Sequence, residues 1–382
     1  MIRKFYVLLF LLLLLIPLLQ KLIGIKNCDY KLSGYSEAIP KPYFKWHDFF
    51  AATYQEHADT YLQQNVAFKG FFITLKNQID YSLFNTLHYS IKKGEDDELF
   101  LQNHIDAHCG QLSISEDSLH RKLNECVELK TILDSMHIPM VFVLAPGKPG
   151  YYEDKLPVKY KNKCSKDNDY LHVLEGLTDK QLPVVDYNAW FRANRNNFKY
   201  PVFPKLGIHW SYYAACVVMD SLNRYIEKAL QVNLLKPKLT GTIVTEQPYT
   251  TDKDLWSLLN LLLPMQSDSL AYPEYSFADT LAPHYKPRIL IISDSYTWVM
   301  LDTKLPANTF SPASRFWFYK KELYDMNGMW VSNDPFTTNS YQSLNGTDMV
   351  IFLATETLYS RLDYGFANWL KTNKAGNSQP GN

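Results

Sequence analysis

Four short, almost uninterrupted apolar runs punctuate the chain: MVFVLAP (140–146), LPVVDY (182–187), RILIISDS (288–295) and DMVIFLATE (348–356). Runs of this length without polar alternation mark strands buried on both faces, as in a parallel sheet. Between them, apolar residues recur every three or four positions. In SEDSLHRKLNECVELKTILDSMH, Leu119, Leu123, Cys126, Leu129, Leu133 and Met136 share one helical face. Ser115 is its N-cap, and Glu116 and Asp117 suit the positive end of the helix dipole. Segments at roughly 170–178, 211–231 and 252–263 read as further helices. This alternation predicts a three-layer α/β domain around a parallel sheet. In such sheets, function gathers at the carboxyl ends of the strands.

The N-terminus follows another pattern. Arg3 and Lys4 precede an uncharged apolar run from Phe5 to Leu19, which Leu22, Ile23 and Ile25 extend. The run approaches the ~20 apolar residues of a spanning helix. No small-x-small cleavage site follows, so residues 1–26 read as an uncleaved signal anchor and transmembrane helix. The basic start places the bulk of the chain outside the cytoplasm. Residues 27–43, polar and proline-bearing, read as a linker. From Trp46 onward helical spacing predicts two helices that part near Asn65. The folded domain runs over 44–370, and the polar, aperiodic tail 371–382 reads as disordered.

Composition narrows the function. With 39 basic and 39 acidic side chains in 382 residues, there is no electrostatic case for nucleic acid. Aromatic residues make up 15% of the chain; such rings suit sugar faces, although core packing is the commoner role of any one. Five cysteines without CxxC or zinc spacing allow one disulfide without choosing it. HIDAH (104–108) sets two histidines at i and i+4, but Ile105 stands where a zincin carries its glutamate. No metal or cofactor is expected.

The chemistry concentrates in two places. RILIISDS delivers Asp294 and Ser295 at a strand's carboxyl end, where Ser295 is either a nucleophile or a cap for the next helix. A serine hydroxyl needs a base, and His209 in KLGIHWSYY lies at a loop-to-helix junction from which it reaches the same rim.

Together, VLAPGKPGYYEDKLP (143–157), IHW, RILIISDSYT and DMVIFLATE resemble, in this order, the alginate O-acetyltransferase family of AlgX/AlgJ type, which has an SGNH-hydrolase-like domain. YLQQNVAFKGFFITLKNQIDYSLFN resembles the family's early helical region, with Lys69 where an arginine is common. The resemblance makes Ser295 the nucleophile and His209 the base. Ser293 replaces the glycine before Asp-Ser, and Gly207 replaces the aspartate of Asp-x-His. Asp186 and Glu356, near predicted strand ends, are the candidate substitutes for that acid. The oxyanion motif is Ser293–Asp294 and the N–H groups up to Tyr296. Trp210, Tyr296 and Trp298 are candidate sugar-binding rings, and Lys148 matches a family position at a strand end.

What the resemblance implies is a membrane-anchored O-acetyltransferase of the bacterial cell envelope, with its catalytic domain in the periplasm. It would act on a polysaccharide hydroxyl, with the acyl group delivered by a multi-pass membrane acyltransferase. A carbohydrate esterase is the alternative within the class. A catalytically inactive polysaccharide-binding component is the alternative outside it, and Gly207 is what favours that one.

Overall fold

The four apolar runs become the middle of a seven-stranded sheet. A computed structural model describes residues 4–12, 15, 31–34, 39–65, 68–88, 90–165, 167–277, 284–332 and 344–376. In chain order the strands are β1 (Ile91–Lys93), β2 (Leu99–Leu101), β3 (Met140–Leu144), β4 (Val184–Asp186), β5 (Lys238–Thr245), β6 (Leu270–Ser276), β7 (Ile289–Ser293), β8 (Arg315–Phe318), β9 (Glu322–Tyr324), β10 (Trp330–Ser332) and β11 (Met349–Ala354). The helices are α1 (Trp46–Phe50), α2 (Thr53–Gln64), α3 (Lys69–Phe84), α4 (Gln102–His108), α5 (Glu116–Ser135), α6 (Lys148–Tyr151), α7 (Asp169–Asp179), α8 (Tyr187–Ala193), α9 (Tyr212–Leu230), α10 (Asp254–Leu259), α11 (Tyr296–Asp302), α12 (Leu305–Thr309) and α13 (Phe366–Gly376).

The sheet order is β10-β9-β8-β7-β11-β3-β4. From β8 to β4 every pairing is parallel. β9 and β10 add an antiparallel edge, so the sheet is mixed where the sequence predicts a purely parallel one. The period of two along each strand sorts the core into two layers. Val141, Val143, Ile289, Ile291, Ile351 and Leu353 face α8, α9 and α11. Met140, Phe142, Leu290, Ile292, Val350 and Phe352 face α5, α7 and α13. These are the three predicted layers.

The chain divides into two compact units, residues 1–89 with 256–265, and residues 90–255 with 266–382. The sequence reading runs one domain over 44–370, whereas 44–89 belong to the first unit. There, α2 ends at Gln64 with Asn65 as its C-cap, at the predicted break. Asn77 Nδ2 donates to the Leu259 carbonyl at 2.9 Å. The second unit holds the sheet and the antiparallel pairs β1–β2 and β5–β6. Helix α13 continues to Gly376, past the start of the expected tail at 371; residues 377–382 lie outside those described.

Residues 4–12 are helical, with Phe5, Tyr6, Leu8 and Phe10 exposed. Among the described residues no helix is long and apolar enough to cross a membrane. Residues 1–3, 13–14 and 16–26 of the expected anchor, and 27–30 and 35–38 of the linker, lie outside the described residues. Cys109 and Cys164 form a disulfide, and Cys126 and Cys216 are buried free thiols.

Candidate active site

β7 ends at Ser293, and the turn after it is built by Asp294. That carboxylate is wholly buried; Oδ1 accepts the Tyr296 N–H at 3.0 Å, and Oδ2 accepts the Thr355 N–H at 3.0 Å and its hydroxyl at 2.9 Å. Asp294 therefore ties the first turn of α11 to the end of β11. Its neighbour Ser293 is buried too, its hydroxyl hydrogen-bonded to Thr297 Oγ1 at 2.6 Å. Asp294 thus occupies the Tyr296 N–H, which leaves that group no free donor for an oxyanion.

Ser295 stands at the N-cap position of α11, yet its hydroxyl caps nothing. It lies 2.7 Å from His209 Nε2. The competing reading of Ser295 as a mere helix cap fails on this geometry.

His209 is presented by a pinned loop. The Ser211 N–H donates to Val202 at 2.8 Å, the Trp210 indole donates to the Tyr296 carbonyl at 3.1 Å, and Tyr296 O–H donates to Ile208 at 3.1 Å. Beneath the loop, Lys148 Nζ donates to the carbonyls of Pro204, Lys205 and Gly207 at 2.7, 3.0 and 2.9 Å. The same ammonium pairs with Glu98 Oε2 at 3.0 Å, both side chains fully buried. Burial pulls the Lys148 pKa below its usual range. Three carbonyl acceptors nonetheless require three N–H donors, so the group stays an ammonium.

The acid is Asp254. Its Oδ2 lies 2.5 Å from His209 Nδ1, while Oδ1 accepts the N–H groups of Ile208 at 3.0 Å and Leu255 at 2.7 Å. Gly207 explains why the acid comes from elsewhere. A Cβ there would sit 2.8 Å from Pro204 Cγ and 3.1 Å from the carbonyl oxygens of Thr251 and Asp252. The backbone leading to Asp254 passes against Gly207 and leaves no room for a side chain.

Burial pulls the His209 imidazole down, but the Asp254 carboxylate, followed by Asp294 and Asp252, more than reverses this, so it titrates above the ordinary 6.5. With Nδ1–H donating to Asp254, Nε2 is free to accept the serine proton.

Asp186 and Glu356 do sit at the ends of β4 and β11, but neither supports the histidine. Asp186 caps α8 by accepting the Ala189 N–H at 3.0 Å and also accepts the Tyr170 hydroxyl at 2.7 Å. Glu356 accepts from Asn188 Nδ2 at 2.7 Å and lies 3.9 Å from His108 Nδ1. The proposed sugar-binding side chains are also otherwise engaged. Trp210 and Tyr296 are fully buried and pack edge to face on each other, Trp298 packs edge-on against Phe316, Phe318 and Tyr324, and Lys148 is spent under the His209 loop. Of the HIDAH pair, His104 lies within the field of His209 and Asp254, and burial holds its pKa down to about 4. Among the described residues no cluster of three metal-ligating side chains forms.

Tyr319 was not signalled by the sequence. It follows β8, a four-residue parallel strand beside β7, and its N–H donates to the Ser293 carbonyl at 2.9 Å. The Ser295 hydroxyl and backbone N–H act on its phenol, which places the ring beside the nucleophile. Tyr319 and Lys320 have φ of 48° and 55°, the left-handed region that side chains with a Cβ rarely enter. Strain of this kind collects at functional sites.

A serine, histidine and aspartate in relay at the carboxyl edge of a three-layer α/β sheet define a serine hydrolase-like or acyltransferase class of site. Within that class, the family model for the SGNH hydrolase-like domain of the acetyltransferase AlgX matches residues 91–298. The chain belongs to this family. No curated protein matches it in sequence. Similar solved structures include the O-acetyltransferase domain of Pseudomonas putida AlgJ, at 14% identity and TM-score 0.48, covering 74% of this chain and 99% of that one. Pseudomonas aeruginosa AlgX matches at 14% identity and TM-score 0.38, covering 69% of this chain and 54% of that one. Bacillus cereus PatB1 with a sulfonyl adduct matches at 11% identity and TM-score 0.46, covering 70% and 97%.

Proposed function

We propose that this chain is an extracytoplasmic O-acetyltransferase that carries an acyl group on Ser295 and passes it to a polysaccharide hydroxyl. The observation that carries the reading is the His209 bridge, 2.7 Å to Ser295 Oγ and 2.5 Å to Asp254. In the first step His209 Nε2 takes the Ser295 proton while Oγ attacks the carbonyl carbon of an acyl ester. The tetrahedral oxyanion is held by the Ser295 N–H and the Tyr319 hydroxyl. As it collapses, the imidazolium returns the proton to the departing alkoxide, leaving an acetyl-serine. The sugar hydroxyl then gives its proton to His209 and attacks that ester, and the second collapse returns the proton to Ser295.

The apolar run behind Arg3 and Lys4 supports a membrane anchor with the catalytic unit outside the cytoplasm, in the envelope. The Cys109–Cys164 disulfide fits that oxidising compartment. An acyl donor on that side calls for delivery across the membrane, the role of a multi-pass acyltransferase partner.

The test is intact mass after brief exposure to an activated acetyl ester. One acetyl group mapping to Ser295, absent from Ser295→Ala and His209→Ala, is the expected result. Transfer to added oligosaccharide rather than water separates transferase from esterase. A folded protein that takes up no acetyl group overturns the reading.

A further inference from the structure

The second unit contains a cavity of about 630 Å³ that includes none of Ser295, His209 and Asp254 in its lining. Its size is that of a ligand site. It follows one face of α9 from Tyr213 through Val217, Asp220 and Asn223 to Glu227, and its far wall comes from β5 and β6. From Tyr213 to Glu227 the helix rises ~21 Å, room for a short chain of linked units rather than one small molecule.

We propose that this groove binds a neutral, polyhydroxylated chain, a stretch of uncharged glycan. Three observations select that chemistry. First, the groove's charges are turned on one another. Arg224 Nη2 pairs with Asp220 Oδ2 at 2.6 Å, Lys236 Nζ lies 3.9 Å from Glu227 Oε1, and Lys199 stands over the Tyr200 ring at 5.2 Å. An anionic ligand would therefore meet the carboxylates of Asp220 and Glu227 along with the cations.

Second, Asn223 Oδ1 is buried against the groove with no hydrogen-bond partner. A buried acceptor left unpaired is a cost to the fold that a ligand hydroxyl reaching it would offset. Third, the rings of Tyr200, Tyr213 and Tyr275, all half-buried, line the same groove. Such rings give apolar faces with a polar tip, matching the alternating C–H and O–H surfaces of a sugar. The one thiol in the lining, Cys216, is buried, and burial pushes it up to about 12, so it stays a neutral thiol.

Tyr213 is four residues past His209. A chain lying in the groove therefore has one end near the turn that carries the histidine, and feeding that chain to Ser295 rests on the acyl-transfer reading. Binding itself does not.

The experiment uses the full chain in detergent, with Ser295→Ala so that nothing is turned over. It is screened against immobilised neutral oligosaccharides (β-glucan, mannan and N-acetylglucosamine oligomers) and against oligouronates, and hits are titrated by calorimetry. A neutral glycan is expected to bind, with little response to added salt, and to weaken at least tenfold in Tyr213→Ala and in Asn223→Leu. Asn223→Leu removes an unpaired buried acceptor, so its melting temperature should not fall and misfolding cannot mimic the loss. If acylation fails but the glycan still binds Ser295→Ala, only the acyl-transfer reading falls. No neutral glycan bound, uronates bound instead, or binding indifferent to both groove substitutions would overturn the proposal.

Discussion

Replacing Asp254 by asparagine keeps the side chain's shape and its bond to the Ile208 N–H, but sets an amide where the carboxylate faced His209 Nδ1 at 2.5 Å. The amide nitrogen can only donate, so the imidazole must present a bare Nδ1 and move its proton to Nε2. Nε2 then confronts Ser295 with a donor and cannot take the hydroxyl's proton. The imidazolium of the transition state also loses its counter-charge. In serine hydrolases this pair of losses costs about 10⁴ in turnover, about 5 kcal/mol of barrier. The pH profile should move as well. The working base is the neutral imidazole, so activity falls as pH drops through the His209 pKa. Asp254 is what lifts that pKa above 6.5 against burial, so the residual activity of Asp254→Asn should persist to lower pH than the native activity does. Burst kinetics with an activated acetyl ester, followed across pH at constant ionic strength, read both effects. Turnover within tenfold of native, or an acid limb displaced upward, would refute the relay.

Other outcomes follow from the same geometry. Tyr319→Phe should lower the acylation rate by about 10²–10³ with KM little changed, since its hydroxyl acts on the oxyanion; single-turnover kinetics checks this. Asp252 beside the acid is buried, and that burial raises its carboxyl to about 7 from 3.8. The folded state thus holds a proton that the unfolded chain releases, and the stability present below the lower value is lost as pH rises through the higher one. This is up to about 4 kcal/mol, so Asp252→Asn should flatten the fall in melting temperature between about pH 4 and pH 8. Lys148→Met leaves Glu98 Oε2 without its partner, with Lys155 still on Oε1, and unties three loop carbonyls, and should cost about 3 kcal/mol in urea unfolding. Asp186→Asn should leave ester turnover within a few-fold of native, because Asp186 touches Tyr170 and the α8 N-terminus rather than the histidine.

The central strands were legible because both their faces are buried, so their apolar runs carry no polar interruption. β8 was not: RFWF is four residues long, opens on Arg315 and is followed by a strained turn, so nothing in its pattern separates it from a loop. The antiparallel edge after it went unread for the same reason. Ser295 and His209 were readable from strand-end and junction positions. Asp254 was not, because it lies 45 residues beyond His209 and, in TDKDLW, looks like an ordinary acid at the start of a helix. Only the three-dimensional path of 251–254 across Gly207 brings it home. Lys148 is the opposite case. A lysine between prolines and glycines reads as solvated, and only its burial reveals a strut.

The route by which the acid arrives also changes the order of the relay along the chain. An Asp-x-His pattern runs acid, base, nucleophile; here it runs His209, Asp254, Ser295. Unrelated hydrolases have reached one geometry through different orders, and this chain does so while staying inside its family. What the base requires is an oxygen beside Nδ1, not a particular peptide to supply it. A glycine at the family's aspartate position is therefore no epitaph for activity. Here the neighbouring segment 251–254 supplies the carboxylate and leaves position 207 too crowded for a side chain.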